Sequence, residues 1–191
     1  MDMLILGLVL FLGVHSVRIA ADGWRGRMLA RLGEKTWKGL YSVISLLGFA
    51  LLCRGYGLAR QEPTVLWVAP AGLRHATALF TLIAFVLVAA AYVPRNSIRA
   101  RLHHPMLLGT KTWALGHLLS NGNLADVLLF GGFLIWAVLC FASARRRDRI
   151  AGTSYPSGTI GATLLTVGLG VALTAVFAMW LHTSLIGVRP Y

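Results

Sequence analysis

Charge is scarce in this chain of 191 residues: 13% are charged, where a soluble domain carries about a quarter. Acidic residues are scarcer still, six Asp and Glu beside 18 Lys and Arg, which leaves a net charge of +12. Only two cysteines occur, Cys53 and Cys140. In the topology derived below they fall at opposite membrane faces, beyond the Cα–Cα reach of about 6 Å that a disulfide needs. Both are therefore expected to be free thiols packed against helices. No Walker-type loop, no Ser/His/Asp order, no HExxH and no CxxC occurs, so hydrolase and zinc-finger chemistry has no motif beneath it. No internal repeat or low-complexity tract is visible, and no stretch is left over for a separate soluble domain.

What is abundant is apolar. Hydrophobic residues make up 57% of the chain and the mean hydropathy is +0.72. Six runs are long enough, or nearly so, to cross a bilayer, where a helix needs about 20 residues. They span Met3–Ala21, Trp37–Cys53, Leu73–Val93, Pro105–Leu119, Leu124–Ala144 and Gly158–Leu185. The first begins with Asp2 rather than a basic cluster and lacks a small-x-small cleavage site, so it reads as a spanning helix and not a signal peptide. The fold class is all-α: an integral membrane bundle of six transmembrane helices in one domain over residues 1–191.

Orientation follows from Lys and Arg. Thirteen of them fall in the loops Arg18–Lys38, Arg95–Arg101 and Arg145–Arg149, against four (Arg54, Arg60, Arg74 and Arg189) on the alternate side. The positive-inside rule places the first set in the cytoplasm and both termini on the outer side. An amphipathic segment, Arg25–Lys35, can lie on the surface and inflate that count, but removing it does not reverse the sign. Basic loops against an anionic leaflet account for the charge without nucleic acid. The expected partner is a lipid bilayer.

Glycines inside the runs, Gly48, Gly109, Gly116, Gly131, Gly132, Gly161, Gly168 and Gly170 among them, suit close packing of helices in lipid. Trp24, Trp37, Trp67, Trp113, Trp136 and Trp180 read as an interfacial aromatic belt. Asn121-Gly122-Asn123 reads as a tight turn, and Arg145–Asp148 as a solvated cytoplasmic stop signal.

Polar groups at membrane depth are costly and mark candidate sites. Six histidines stand out: His15, His75, His103, His104, His117 and His182. The topology sorts them by depth. His15 lies toward the cytoplasmic end of the first helix, and His103 and His104 open the fourth. His117 follows His104 by 13 residues, a rise of about 20 Å. It therefore joins His75 and His182 as a second polar cluster near the outer face. His104 and His117 cannot meet one iron, whereas His15 and His104, on separate helices at one face, can. Each histidine can equally hydrogen-bond at the headgroup level; His15, deeper and framed by apolar residues, favours a ligand role. Lys111 sits mid-helix on nearly the same face as His104. It meets either an anion, such as a haem propionate or an acidic ligand, or Asp126 or a helix C-terminal carbonyl. Arg18, one turn beyond His15, can also meet an anion, or simply anchor the helix at the inner face.

These residues resemble the NnrU family. The likeness lies in His15-Ser16, Gly33-Glu34, Tyr41-Ser42, His104-Pro105-Met106, Trp113-Ala114-Leu115-Gly116-His117-Leu118-Leu119, Asn121-Gly122, Phe130-Gly131-Gly132-Phe133, Leu181-His182 and Leu185-Ile186-Gly187-Val188. It covers nearly the whole chain. The resemblance implies a bacterial multi-pass membrane protein linked to denitrification and nitric-oxide metabolism. A distant relative, the plant zeta-carotene isomerase, is similar at the His-Ser and His-Pro motifs; it carries haem b and isomerises a cis double bond. By that likeness His15 and His104 are the expected haem positions, with Pro105 setting His104 at its helix start. His103 stands where the motif typically has Arg, so the ligand can shift by one residue. The expected function is haem-dependent redox or isomerase chemistry on a small apolar or gaseous ligand. A transporter, a channel or a non-catalytic accessory protein is the alternative, although nitric oxide crosses bilayers without a pore.

Overall fold

Hydrocarbon offers backbone amides no water, so a segment crossing it must pair its own N–H and C=O groups, and an α-helix does so within the segment. The computed structural model describes residues 1–190. It consists of helices and connecting loops: α1 (Asp2–Ala20), α2 (Asp22–Ala59), α3 (Leu73–Tyr92), α4 (Ser97–Leu102), α5 (Pro105–Ser120), α6 (Leu124–Ala151) and α7 (Ile160–Val176). A π-helical turn (Phe177–Leu181) then leads into α8 (His182–Ile186). Among the described residues there is no strand, only isolated bridges between Val65 and Asn123 and between Asn96 and Thr159.

Five helices are long and apolar enough to cross a membrane: α1, α2, α3, α6 and the continuous Ile160–Ile186 rod. The sixth expected span, α5, has 16 residues. It rises about 24 Å, short of the ~30 Å hydrocarbon core. Pro105 occupies its first turn, where the missing N–H leaves nothing unsatisfied.

Several boundaries differ from the sequence reading, each for a local reason. Helix two continues to Ala59 and is preceded by the helical segment 22–32, joined to it through Gly33 at φ 76° and ψ 160°. Glycine tolerates that backbone and other residues resist it, so the amphipathic segment and the spanning segment point in different directions. The Arg95–Arg101 loop contains α4. Asn96, 1% exposed, accepts from the Arg99 amide at 2.7 Å and donates to the carbonyls of Ala90 and Val93 at 2.9 and 2.6 Å. One side chain thereby closes α3 and opens α4. Helix six runs on through Arg145–Asp148 to Ala151.

The helices pack in the order α2, α1, α6, α5, α3, α7. Leu4 and Leu8 of α1, Leu52 of α2, Ala114 of α5 and Leu129 and Phe130 of α6 form the buried core. Large apolar side chains also face outward, Leu46 at 67% exposure and Ile160 at 81% among them. An exterior of that kind suits lipid contact. Small residues set the spacing of the first pair: Gly48 and Gly55 of α2 lie on the α1 backbone at Phe11 and Leu4, and Gly7 of α1 lies on Leu52. Gly109, Gly116 and Gly170 make similar approaches, whereas Gly131, Gly161 and Gly168 meet nothing within 4 Å.

A Cβ at Gly48 would stand 2.7 Å from the Phe11 nitrogen. Gly48→Val is therefore expected to cost about 1–3 kcal/mol by forcing α1 and α2 apart. Gly13→Ala, which meets nothing within 4 Å, should stay within about 0.5 kcal/mol. Melting followed by circular dichroism in neutral detergent compares the two.

Candidate functional site

The histidines fall into three places. Toward the C-terminal end of α1, His15 lines a groove of about 560 Å³ with Arg18, Arg25, Trp37, Lys38 and Tyr41. Its ring lies on Phe11 (centroids 4.3 Å apart) and meets Tyr41 and Trp136 edge-on. His15 Nδ1 is 2.6 Å from the Phe11 carbonyl. A carbonyl only accepts, so Nδ1 carries the hydrogen and Nε2 is left with a free lone pair. Metal-bound histidines usually have their far nitrogen held by such a carbonyl, which fixes the tautomer and turns the ring toward the metal. Beside His15, Trp136 Nε1 is a buried donor with no acceptor.

The second place joins the start of α5 to the end of α6. His104 donates from Nε2 to Asp148 Oδ2 at 2.8 Å, and Tyr155 donates its hydroxyl to the same oxygen at 2.9 Å. His103 Nδ1 accepts from Arg145 and its ring stacks on Tyr155 with centroids 4.2 Å apart. His103 holds φ at 68°, a backbone state uncommon outside glycine, and these ring contacts keep it there. Burial, then the hydrogen bond to Asp148, pushes the Tyr155 hydroxyl above its usual range, so it remains a donor. Asp148 had read as part of a solvated stop signal. Its side chain is 15% exposed and it gathers three helices and a loop. Its one signal in the sequence was being the only acid among four arginines.

Lys111 places its Nζ 4.0 Å from the centre of the Phe141 ring, whose plane His104 meets edge-on at 6.1 Å. The shared face of Lys111 and His104 is therefore real. Lys111 does not pair with Asp126, because that carboxylate, 2% exposed, accepts from the Tyr56 hydroxyl at 2.6 Å and caps α6 with Asn123.

The third place is a cavity of about 310 Å³ at the opposite end of the bundle, between α3, α5 and the rod of α7 and α8. His117 and His182 both line it; His75 is exposed at the start of α3 and does not. His117 Nδ1 donates to the Trp113 carbonyl at 3.0 Å and His182 Nδ1 donates to the Val188 carbonyl at 2.6 Å. Arg74, Arg189, Thr77, Ser120 and Phe177 also line it and were not singled out in the sequence. Phe177 opens the π-helical turn, for which no residue pattern gives a signal. Of the tryptophans, Trp37 lines the groove, Trp113 lines the cavity and Trp136 meets His15 edge-on, while Trp24, Trp67 and Trp180 are exposed.

His15 and His104 thus keep separate neighbours, whereas His117 and His182 share one cavity. Among the described residues no group of three His, Cys, Asp or Glu side chains converges as a metal site. Both thiols are free.

Replacing Asp148 with Asn removes the charge that His104 and Tyr155 share. It is expected to cost about 1–3 kcal/mol, against about 1 kcal/mol for Tyr155→Phe, which loses one neutral donor. Detergent melting temperatures should rank wild type, Tyr155→Phe and Asp148→Asn in that order.

Residues 3–190 match the model of a protein family described as NnrU protein. No curated protein and no solved structure matches the chain.

Proposed function

The chain belongs to the NnrU protein family, and from that premise we propose that it is a six-pass protein of the bacterial inner membrane that binds haem b through His15. The multi-pass membrane character rests on the five long apolar helices. A sixth pass is supported by the ties at each end of α5. His104 at its start reaches Asp148 at the far end of α6. The turn after it, at Gly122, accepts from the amides of Leu66 and Trp67 beside the near end of α6. The excess of basic residues in alternate loops supports both termini lying outside.

The observation that carries the haem reading is the state of the His15 ring. Nδ1 is held by the Phe11 carbonyl, and Nε2 is free in a groove that also presents Arg18, Arg25 and Lys38. Those cations suit the two propionates of a haem, and arginine pairs with carboxylates bidentately. Bound haem would supply a redox-active iron with axial positions tuned by its protein ligand. The residues of the chain orient the imidazole, neutralise the carboxylates and keep one side of the site apolar. His104, the other position named by the resemblance, has Nε2 committed to Asp148 and only Nδ1 remaining. It is therefore the weaker axial candidate, and Lys111, above Phe141 beside it, is the weaker anion partner.

A haem site supports the nitric-oxide-linked redox role or a polyene isomerase over a pore or an accessory protein. Purified protein loaded with haemin in detergent should show a Soret band that His15→Ala removes and His104→Ala only shifts. Wild-type protein without a band after haem supplementation would sink the reading and shift weight to a transporter or accessory role. Reporter fusions at the two termini, both active only outside, test the orientation.

A further inference from the structure

The His117 cavity shares no residue with the His15 groove, and its chemistry is different. Two arginines line it, Arg74 from the first turn of α3 and Arg189 from the end of the described chain, together with His117 and His182. Among the described residues no Asp or Glu lines it. Two guanidinium groups without a carboxylate repel a divalent cation, and two imidazoles do not complete a metal's coordination. The same charges attract an anion, and a partly dry wall strengthens each contact relative to water.

The wall is divided. Arg74, Arg189 and Ser120 supply donors, while Trp113, Phe85 and Phe177 supply aromatic surface. Phe85 and Phe177 lie with ring centroids 5.5 Å apart. Sites with an apolar body and a few convergent polar groups are the usual form of a small-ligand pocket, and a volume of about 310 Å³ is at the small end of their range.

Two backbone features build this wall and not some other one. The π-helical turn Phe177–Leu181 interrupts the last rod where Phe177, Ala178 and His182 face the cavity. Such turns are rare and concentrate at functional sites. Beyond it Gly187, at φ 78°, reverses the chain. The reversed strap is held by His182 Nδ1 on the Val188 carbonyl and by Arg60 Nη1 on the Ile186 carbonyl at 3.0 Å. That strap sets Val188, Arg189 and Pro190 against the cavity.

We propose that this cavity binds the carboxylate or phosphate head of an amphiphile, with the first part of its apolar body among Phe85, Trp113 and Phe177. The anionic head gives the arginines a partner at this end of the bundle. The body continues toward the bilayer, where apolar surface costs nothing to leave exposed.

The test uses the whole protein in the neutral detergent dodecyl maltoside. Decanoate, decyl phosphate, decanol, acetate and inorganic phosphate are titrated separately, with tryptophan fluorescence as the readout because Trp113 lines the site. Decanoate and decyl phosphate should bind saturably, and decanol about tenfold more weakly or worse, since it lacks the charge that strengthens hydrogen bonds to arginine. Arg74→Gln and Arg189→Gln should each weaken decanoate about tenfold, and Arg54→Gln, exposed on α2 and outside the cavity, should not. If Arg74→Gln misfolds, Arg189→Gln in the strap carries the comparison. Decanol binding as tightly as decanoate would overturn the proposal. So would acetate or phosphate binding as tightly as decanoate, or a folded double variant that binds decanoate normally. A haem band lost in His182→Ala but kept in His15→Ala would assign the cavity to a macrocycle and overturn it as well. A wild-type protein without a haem band removes the haem reading and leaves the decanoate titration standing.

Discussion

Four imidazoles of this molecule are held by hydrogen bonds from within, and the rest of the site depends on those bonds. His15, His117 and His182 each give their Nδ1 hydrogen to a carbonyl on their own or an adjoining turn. His104 gives its Nε2 hydrogen to Asp148. In hydrocarbon an unpaired donor costs several kcal/mol by the water-to-alkane reference, about 4–8, so these bonds fix the tautomer as well as the orientation. The result is three Nε2 atoms with free lone pairs and one that is spent. That difference, more than depth or spacing, separates the histidines that can hold a ligand from the one that holds the fold.

The knot around Asp148 shows the opposite use of polar groups. It takes up His104, Tyr155 and, through Arg145, His103. It thereby ties the short α5 to the end of α6 and to the loop before α7. A helix of 16 residues gains little from its own length, so its position is set by ties at both ends and by close packing on α3 at Gly109 and Gly116. Between the His15 groove and the His117 cavity, Phe133 touches Phe11, Trp136 and Trp113, and Trp113 touches His117. Aromatic packing therefore connects the two ends of the bundle.

Much of the fold was legible before the structure. Long apolar runs interrupted by arginine clusters gave the helices α1, α3 and α6 to within a few residues at most ends. The exceptions have physical causes. Arg145–Asp148 looked like loop because its charge is high, yet the helix continues because Asp148 finds partners on other elements. The α4 helix was invisible because it depends on Asn96 bonding to three backbone groups at once. Lys111 was correctly placed on the face of His104, but its partner is the Phe141 ring, a contact that spacing on one helix does not reveal.

By itself the sequence determined that this chain is a helical membrane protein, because composition alone dictates where hydrocarbon is cheaper than water and where arginine must stop. It also singled out candidate side chains, the six histidines and Lys111, since polar residues in apolar runs are rare enough to count. Only the tertiary structure decided how they group. Arg74 and Arg189 are separated by most of the chain and line one cavity, while His103 and His104, adjacent in sequence, take different partners: His104 donates to Asp148, 44 residues on, and His103 accepts from Arg145. Grouping is a property of helix packing, and packing depends on where glycines admit a neighbouring backbone and where a π-turn shifts the register.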